Sequence, residues 1–284
     1  MRTIPLTPSE SVPALGLGSW RMGENARARP AELAAVRRAV ELGYRLFDTA
    51  EMYGEGGAER VLGQALGDAL RTGGLRRDEL FIVSKVYPHN ASRQGVAKAC
   101  ESSLERLGLE RIDLYLLHWP GSHPLAQTVE AFEDLVQRGR IRHWGVSNFD
   151  ADAMAELWAL PAGKKCVTNQ VYYSLGKRGI EFDLVPWQRE HGVTTMAYCP
   201  IDQGTLSYSK ALGPIAQRLN ATPAQVALAW LISRGDVIAI PKAVQEAHLR
   251  ENFAAASLQL DAVSIAELET VFPPPRRKQP LAMS

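Results

Sequence analysis

Asp48, Tyr53, Lys85 and His118 are the residues whose types and surroundings point to chemistry. Three of them end short apolar runs: Leu46-Phe47 leads into Asp48, Phe81-Ile82-Val83-Ser84 into Lys85, and Leu114-Tyr115-Leu116-Leu117 into His118. Such runs read as buried strands, and a charge at the end of one is costly to desolvate without a partner. Tyr53 precedes the bend Gly54-Glu55-Gly56-Gly57, which reads as an exposed loop. Singly, these residues have plainer readings: an ion pair for Asp48 and Lys85, a core histidine, a packed loop aromatic. Jointly they make a proton-transfer set. A free phenol, with a pKa of about 10, is a poor acid at neutral pH. The Lys85 ammonium is expected to lower that pKa, with Asp48 keeping the lysine charged and oriented. His118 is placed to hydrogen-bond a carbonyl oxygen, or to share the tyrosine's proton, as charge develops. That combination suits hydride addition to an aldehyde or ketone, with the tyrosine as acid.

The elements that must position these residues alternate along the chain. Two short extended pieces in residues 2–15 read as a hairpin, and Leu15–Ser19 as a first inner strand. Strands are then expected at 44–48, 80–85, 113–118, 141–146, 167–170, 193–198 and 237–240. Helices are expected at 31–42, 59–69, 93–107, 126–138, 151–160, 183–190, 211–234 and 246–255. Gly43, Gly108, Gly139 and Gly192 stand where helices stop, and Thr222-Pro223 offers a fresh helix start inside the 211–234 region. Eight strand–helix units predict a (β/α)₈ barrel, one domain over residues 1–284, with an appended helix at 264–272 and a tail from Pro273. In such a barrel all strands open their carboxyl ends on one face, so Asp48, Lys85 and His118 converge there.

Composition narrows the setting. The chain has 284 residues, 46% hydrophobic and 22% charged, with net charge +1. That gives no reason to expect nucleic acid or an anionic membrane as partner. Three dispersed cysteines, Cys100, Cys166 and Cys199, form neither a zinc knuckle nor a redox pair. With no leader-like or membrane-spanning stretch, a cytoplasmic location is expected. The expected partner is a small carbonyl substrate, and the expected state a monomer.

The segments Gly16-Leu17-Gly18-Ser19-Trp20, Asp48–Tyr53, Ser84-Lys85, Leu116–Pro120, Gly145–Phe149, Asn169-Gln170, Ile240–Lys242 and Glu251-Asn252 together resemble the aldo-keto reductase superfamily. Within it, Thr49–Tyr53 with Ser84–Pro88 is most similar to bacterial methylglyoxal reductases. The resemblance implies an NAD(P)H-dependent carbonyl reductase, with Tyr53 as acid supported by Asp48, Lys85 and His118. It implies that Ser147, Asn148 and Gln170 hold a nicotinamide carboxamide and that Tyr198 stacks on the ring. It assigns Ser19, Trp20, Asp48, Cys199, Ile201, Lys242, Ala243, His248, Glu251 and Asn252 to the rest of the cofactor cradle. NADPH is the expected cofactor, with NADH possible, because Ala243, His248 and Cys199 depart from the family's usual pattern near the adenosine end. The glycine-rich dinucleotide fingerprint is absent: Gly16 and Gly18 are followed by Arg21, and no acidic strand end follows at the right spacing. Trp20, Tyr87 and Trp119 are expected to wall an apolar substrate pocket. The short loop Trp119–Pro124 would leave it open on that side and broad in substrate.

Two other readings compete. A Schiff-base aldolase would use Lys85 as nucleophile, and a regulatory subunit would keep only the nucleotide site. Neither requires the Tyr53 phenol.

Overall fold

In a computed structural model describing residues 2–284, eight parallel strands lie side by side in chain order. A hairpin precedes them, β1 (Thr3–Thr7) and β2 (Glu10–Pro13), paired antiparallel. The inner strands are β3 (Leu17–Gly18), β4 (Leu46–Asp48), β5 (Phe81–Val86), β6 (Ile112–Leu117), β7 (Ile141–Ser147), β8 (Thr168–Tyr172), β9 (Thr194–Tyr198) and β10 (Val237–Ala239). Parallel bridges from Leu15 to Ala239 and from Gly18 to Lys242 close the first strand onto the last, completing the expected (β/α)₈ barrel. The seam needs glycine: a Cβ on Gly18 would sit 2.9 Å from the Ile240 carbonyl oxygen.

The outer layer comprises α1 (Arg29–Leu42), α2 (Gly57–Arg71), α3 (Arg93–Leu107), α4 (Leu125–Gln137), α5 (Ala151–Trp158), α6 (Leu184–His191), α7 (Gly213–Arg218), α8 (Pro223–Ser233), α9 (Glu246–Ala255) and α10 (Ala262–Val271). Local signals set their ends. Ser92 caps α3 through the Gly95 amide at 3.1 Å, and Asp150 caps α5 through Ala153 at 2.9 Å. Gly43, Gly108 and Gly192 close α1, α3 and α6 in the left-handed conformation. The single helical region expected at 211–234 is two helices. Asn220 turns left-handed after α7, and Thr222 then starts α8 with a capping box to Gln225.

The strands are buried on both faces, between side chains filling the barrel and the helices outside. The hairpin packs Ile4, Leu6 and Val12 into the core at the amino-terminal ends of the strands. There Glu10 binds Arg142 and His143 at the start of β7, and the Thr194 hydroxyl at the start of β9 donates to the Pro5 carbonyl at 3.0 Å. The floor is thus sealed, which leaves the carboxyl ends of the strands as the open face.

Candidate active site

Asp48 is the last residue of β4, Lys85 the penultimate residue of β5, and His118 directly follows β6. All three are buried. Lys85 donates to both Asp48 oxygens, at 2.9 and 2.8 Å, and to the Thr49 carbonyl at 2.7 Å. Its remaining contact is the phenol oxygen of Tyr53 at 3.2 Å. The phenol accepts from the ammonium, so its own O–H is free to donate. The His118 ring meets the Tyr53 ring edge-on, with centroids 5.7 Å apart.

The electrostatics correct one expectation from the sequence. Burial pushes the Tyr53 phenol well above its ordinary value, and the adjacent Asp48 carboxylate adds to the rise. The net shift is therefore upward, and the lowering expected from Lys85 does not prevail against burial and Asp48. Burial also drives Asp48 up and Lys85 down, against their mutual attraction. Burial, then the Lys85 charge, holds His118 well below 6.5. At neutral pH the site therefore presents a protonated phenol and a neutral imidazole. Both are hydrogen-bond donors without net charge.

A cavity of about 740 Å³ opens above these groups. Asp48, Tyr53 and His118 lie on its floor, and it runs past β7, β8 and β9 to Lys242 and α9. Gln170 donates to Asp48 at 2.7 Å, tying the Asp48–Lys85–Tyr53 cluster to the strand-end amides. Asn148, left-handed at φ 60, donates to the His118 carbonyl at 3.1 Å and accepts from the Tyr198 hydroxyl at 2.8 Å. Tyr198 is thereby pinned as an aromatic wall.

Residues 14–272 match the family described as aldo/keto reductase. The chain belongs to the aldo/keto reductase family. It is 47% identical to the methylglyoxal reductase YeaE of Escherichia coli, covering 99% of each chain. A 9,11-endoperoxide prostaglandin H2 reductase of Trypanosoma cruzi is 33% identical over 94% of this chain and 90% of its own. Among solved structures, an aldo-keto reductase from Klebsiella pneumoniae in complex with NADPH superposes with a TM-score of 0.93 at 45% identity, covering 100% of this chain and 99% of that one.

Most residues assigned from the family resemblance share this cavity: Trp20, Asp48, Tyr53, His118, Trp119, Ser147, Asn148, Gln170, Tyr198, Cys199, Ile201, Lys242, His248, Glu251 and Asn252. Lys85 is absent from the lining and is held by Asp48 and Tyr53, which are part of it. Three residues expected at the cavity are elsewhere. Tyr87 stands behind Trp119, edge-on at 5.9 Å, with its amide held by Glu51 at 2.6 Å, so it supports the wall and does not line it. Ser19 is wholly buried beside the barrel seam, its amide held by the Asp48 carbonyl. Ala243 is buried in the core.

The sequence reading missed Arg21, Met52, Gln203, Gly204, Ser207, Tyr208, and Met283 with Ser284, all of which contribute to the cavity. Arg21 and Met52 are sequence neighbours of Trp20 and Tyr53, which was a usable signal. The tail had none. Lys278 pairs with Asp152 at 2.8 Å and Asp183 at 3.5 Å, and the chain beyond it reaches Tyr198 and Cys199. Residues from the far end of the chain, Met283 and Ser284, thus line the cavity.

Proposed function

We propose that this aldo/keto reductase is an NADPH-dependent carbonyl reductase that acts on small aldehydes, with 2-oxoaldehydes such as methylglyoxal as favoured substrates. The observation that carries the reading is the Tyr53 phenol, held by Lys85 at 3.2 Å with its own proton unspent, at the floor of a cavity that also holds the strand-end amides. The cavity's residues suit a dinucleotide. Its volume is within the range of ligand sites, Lys242 has no carboxylate partner among the described residues, and Tyr198 offers a pinned ring face. Bound NADPH supplies a hydride to the carbonyl carbon.

The residues of this chain do the rest. Ser147, Asn148, Gln170 and Tyr198 orient the nicotinamide end. The Tyr53 O–H donates its proton to the carbonyl oxygen as that oxygen gains charge, leaving a phenolate beside the Lys85 ammonium. Neutral His118 donates a hydrogen bond to the same oxygen. Trp20, Trp119, Met52 and Met283 give the substrate end an apolar wall. It suits a compact uncharged aldehyde. The similarity to YeaE, whose name states methylglyoxal reduction, supports the substrate class.

The aldolase alternative requires a lysine nitrogen free to attack. Lys85 is fully buried and has its ammonium hydrogens engaged by Asp48, Thr49 and Tyr53. The regulatory alternative gives the phenol no task. The deciding experiment mixes the protein with NADPH and methylglyoxal and follows loss of reduced nicotinamide absorbance. Saturable oxidation of NADPH is expected. Its absence, or a borohydride-trapped substrate adduct on Lys85, would overturn the reading.

Among the described residues, no helix is long and apolar enough to cross a membrane. A cytoplasmic, monomeric enzyme organised as one domain is part of the proposal, and gel filtration tests the monomer.

A further inference from the structure

We propose that Glu59, Ser84 and Arg106 form a buried clamp that sets the separation of Tyr53 and Lys85, making Glu59 a positioning residue for proton transfer. This rests on the reading of Tyr53 as the acid. Glu59 lies in the first turn of α2 and is fully buried, outside the cavity. One carboxylate oxygen accepts from the Ser84 hydroxyl at 2.6 Å, the other from Arg106 Nε at 2.6 Å. Arg106 comes from the last turn of α3 and also donates to Ser103 at 3.2 Å.

Each end of the clamp leads to a reacting group. On one side, α2 grows directly out of the bend that carries the acid. The Ala58 amide donates to the Tyr53 carbonyl at 3.1 Å, and the Gly57 amide to the Gly54 carbonyl at 2.8 Å. Arg106 lies across that bend. Gly56 is left-handed at φ 78, and a Cβ there would come within 2.5 Å of Arg106 Cδ and Nε. On the other side, Ser84 immediately precedes Lys85 on β5. Side chains alternate along a strand, so Lys85 points into the barrel while Ser84 points at the helices. A single carboxylate therefore fastens the loop of the phenol to the strand of the ammonium.

A clamp chosen for stability alone has no need of these groups, since well-packed apolar residues serve a buried site as well or better. What the hydroxyl–carboxylate bond adds is a fixed direction and length. A misplacement of about 1 Å costs on the order of 10²-fold in rate. Partial loosening of the clamp is therefore expected to cost about tenfold in kcat, with little change in KM or cofactor affinity.

The test compares Ser84→Ala, Ser84→Thr, Glu59→Gln, Arg142→Ala and Tyr53→Phe for kcat, KM, NADPH binding and melting temperature, with methylglyoxal as substrate. Ser84→Ala keeps the Glu59–Arg106 pair, so it decides the matter even where Glu59→Gln fails to fold. The expected result is a fall in kcat for Ser84→Ala with unchanged KM and NADPH affinity, and recovery in Ser84→Thr, which restores a hydroxyl. Arg142→Ala loosens the barrel floor instead, and should lower the melting temperature without lowering kcat. Wild-type kcat in Ser84→Ala, or an equal loss of kcat in Arg142→Ala, would overturn the clamp. Retained turnover in Tyr53→Phe would overturn the acid assignment together with it. An inactive Tyr53→Phe beside a fully active Ser84→Ala would remove the clamp alone.

Discussion

The Lys85 ammonium lies 3.2 Å from the phenol oxygen of Tyr53, with the phenol as acceptor. The direction of this bond matters. It leaves the phenol proton free to donate and places a positive charge where, in the proposed mechanism, a phenolate would form. Burial first, and then Asp48, which holds Lys85 at 2.8 and 2.9 Å, keep the phenol's pKa well above its ordinary value. The phenol is thus held protonated in the resting site, and under the proposed mechanism Lys85 would assist the loss of its proton.

Tyr53→Phe is expected to abolish reduction while leaving NADPH binding nearly intact, because only the proton donor is lost. The fall in kcat should be about 10²–10⁴-fold, the usual contribution of a general acid. Steady-state kinetics and tryptophan-fluorescence titration check it. Turnover within a few-fold of wild type would show that another group is the acid.

Lys85→Met removes the charge that receives the phenolate and strands Asp48 in a buried site. Breaking a buried pair in this way costs about 3–5 kcal/mol. The carboxyl's burial already pushes it toward the protonated form, which offsets part of that cost. Urea denaturation should therefore show a clear loss, and Asp48→Asn combined with Lys85→Met should regain stability but not rate. Full activity in Lys85→Met would remove the lysine from the mechanism.

His118 is held neutral in the fold, below its ordinary 6.5, by burial and then by Lys85. The unfolded chain protonates this residue at a higher pH than the folded one does. The difference destabilises the fold as pH falls through the unfolded value and has no effect above it. Wild-type stability should decline between about pH 7 and 5 more steeply than that of His118→Gln, while the two curves run parallel above that range. Denaturation midpoints across the series test this. Parallel curves throughout would mean that the folded protein binds the proton as readily as the unfolded chain.

Cofactor choice should depend on the two basic residues at the far end of the cavity. Lys242 and His248 line it without carboxylate partners among the described residues, and Ala243 contributes no hydroxyl there. NADPH is expected to bind more tightly than NADH, and His248→Arg should widen the gap. Lys242→Ala should weaken NADPH by about tenfold or more, as expected for loss of a charged hydrogen bond worth about 1.5–3 kcal/mol. NADH should hardly respond. Added salt should weaken NADPH more than NADH, since exposed charges are screened. Equal losses for both cofactors in Lys242→Ala would place the lysine away from the 2′-phosphate.

Much of this was legible along the chain because its causes are local. Continuous apolar runs marked the strands, and glycine and capping residues marked most helix ends. The barrel rule then brought Asp48, Lys85 and His118 to one face. The sequence by itself thus determined the barrel and the gathering of Asp48, Lys85 and His118 at the strand ends beside Tyr53.

Only the tertiary structure decided the protonation states and the depth of each group. Lys85 and Asp48 are 37 residues apart, and the field at the phenol depends on how completely one cancels the other, a matter of ångströms and burial. The same holds for Tyr87, placed behind Trp119 by its bond to Glu51, and for Ser19 and Ala243, buried beside the cavity. Met283 reaches the cavity, and Glu59 joins Ser84 to Arg106, through contacts between distant segments that carry no periodicity. Local pattern encodes which elements form and which way their side chains alternate. Distances between side chains on different elements arise only when those elements pack.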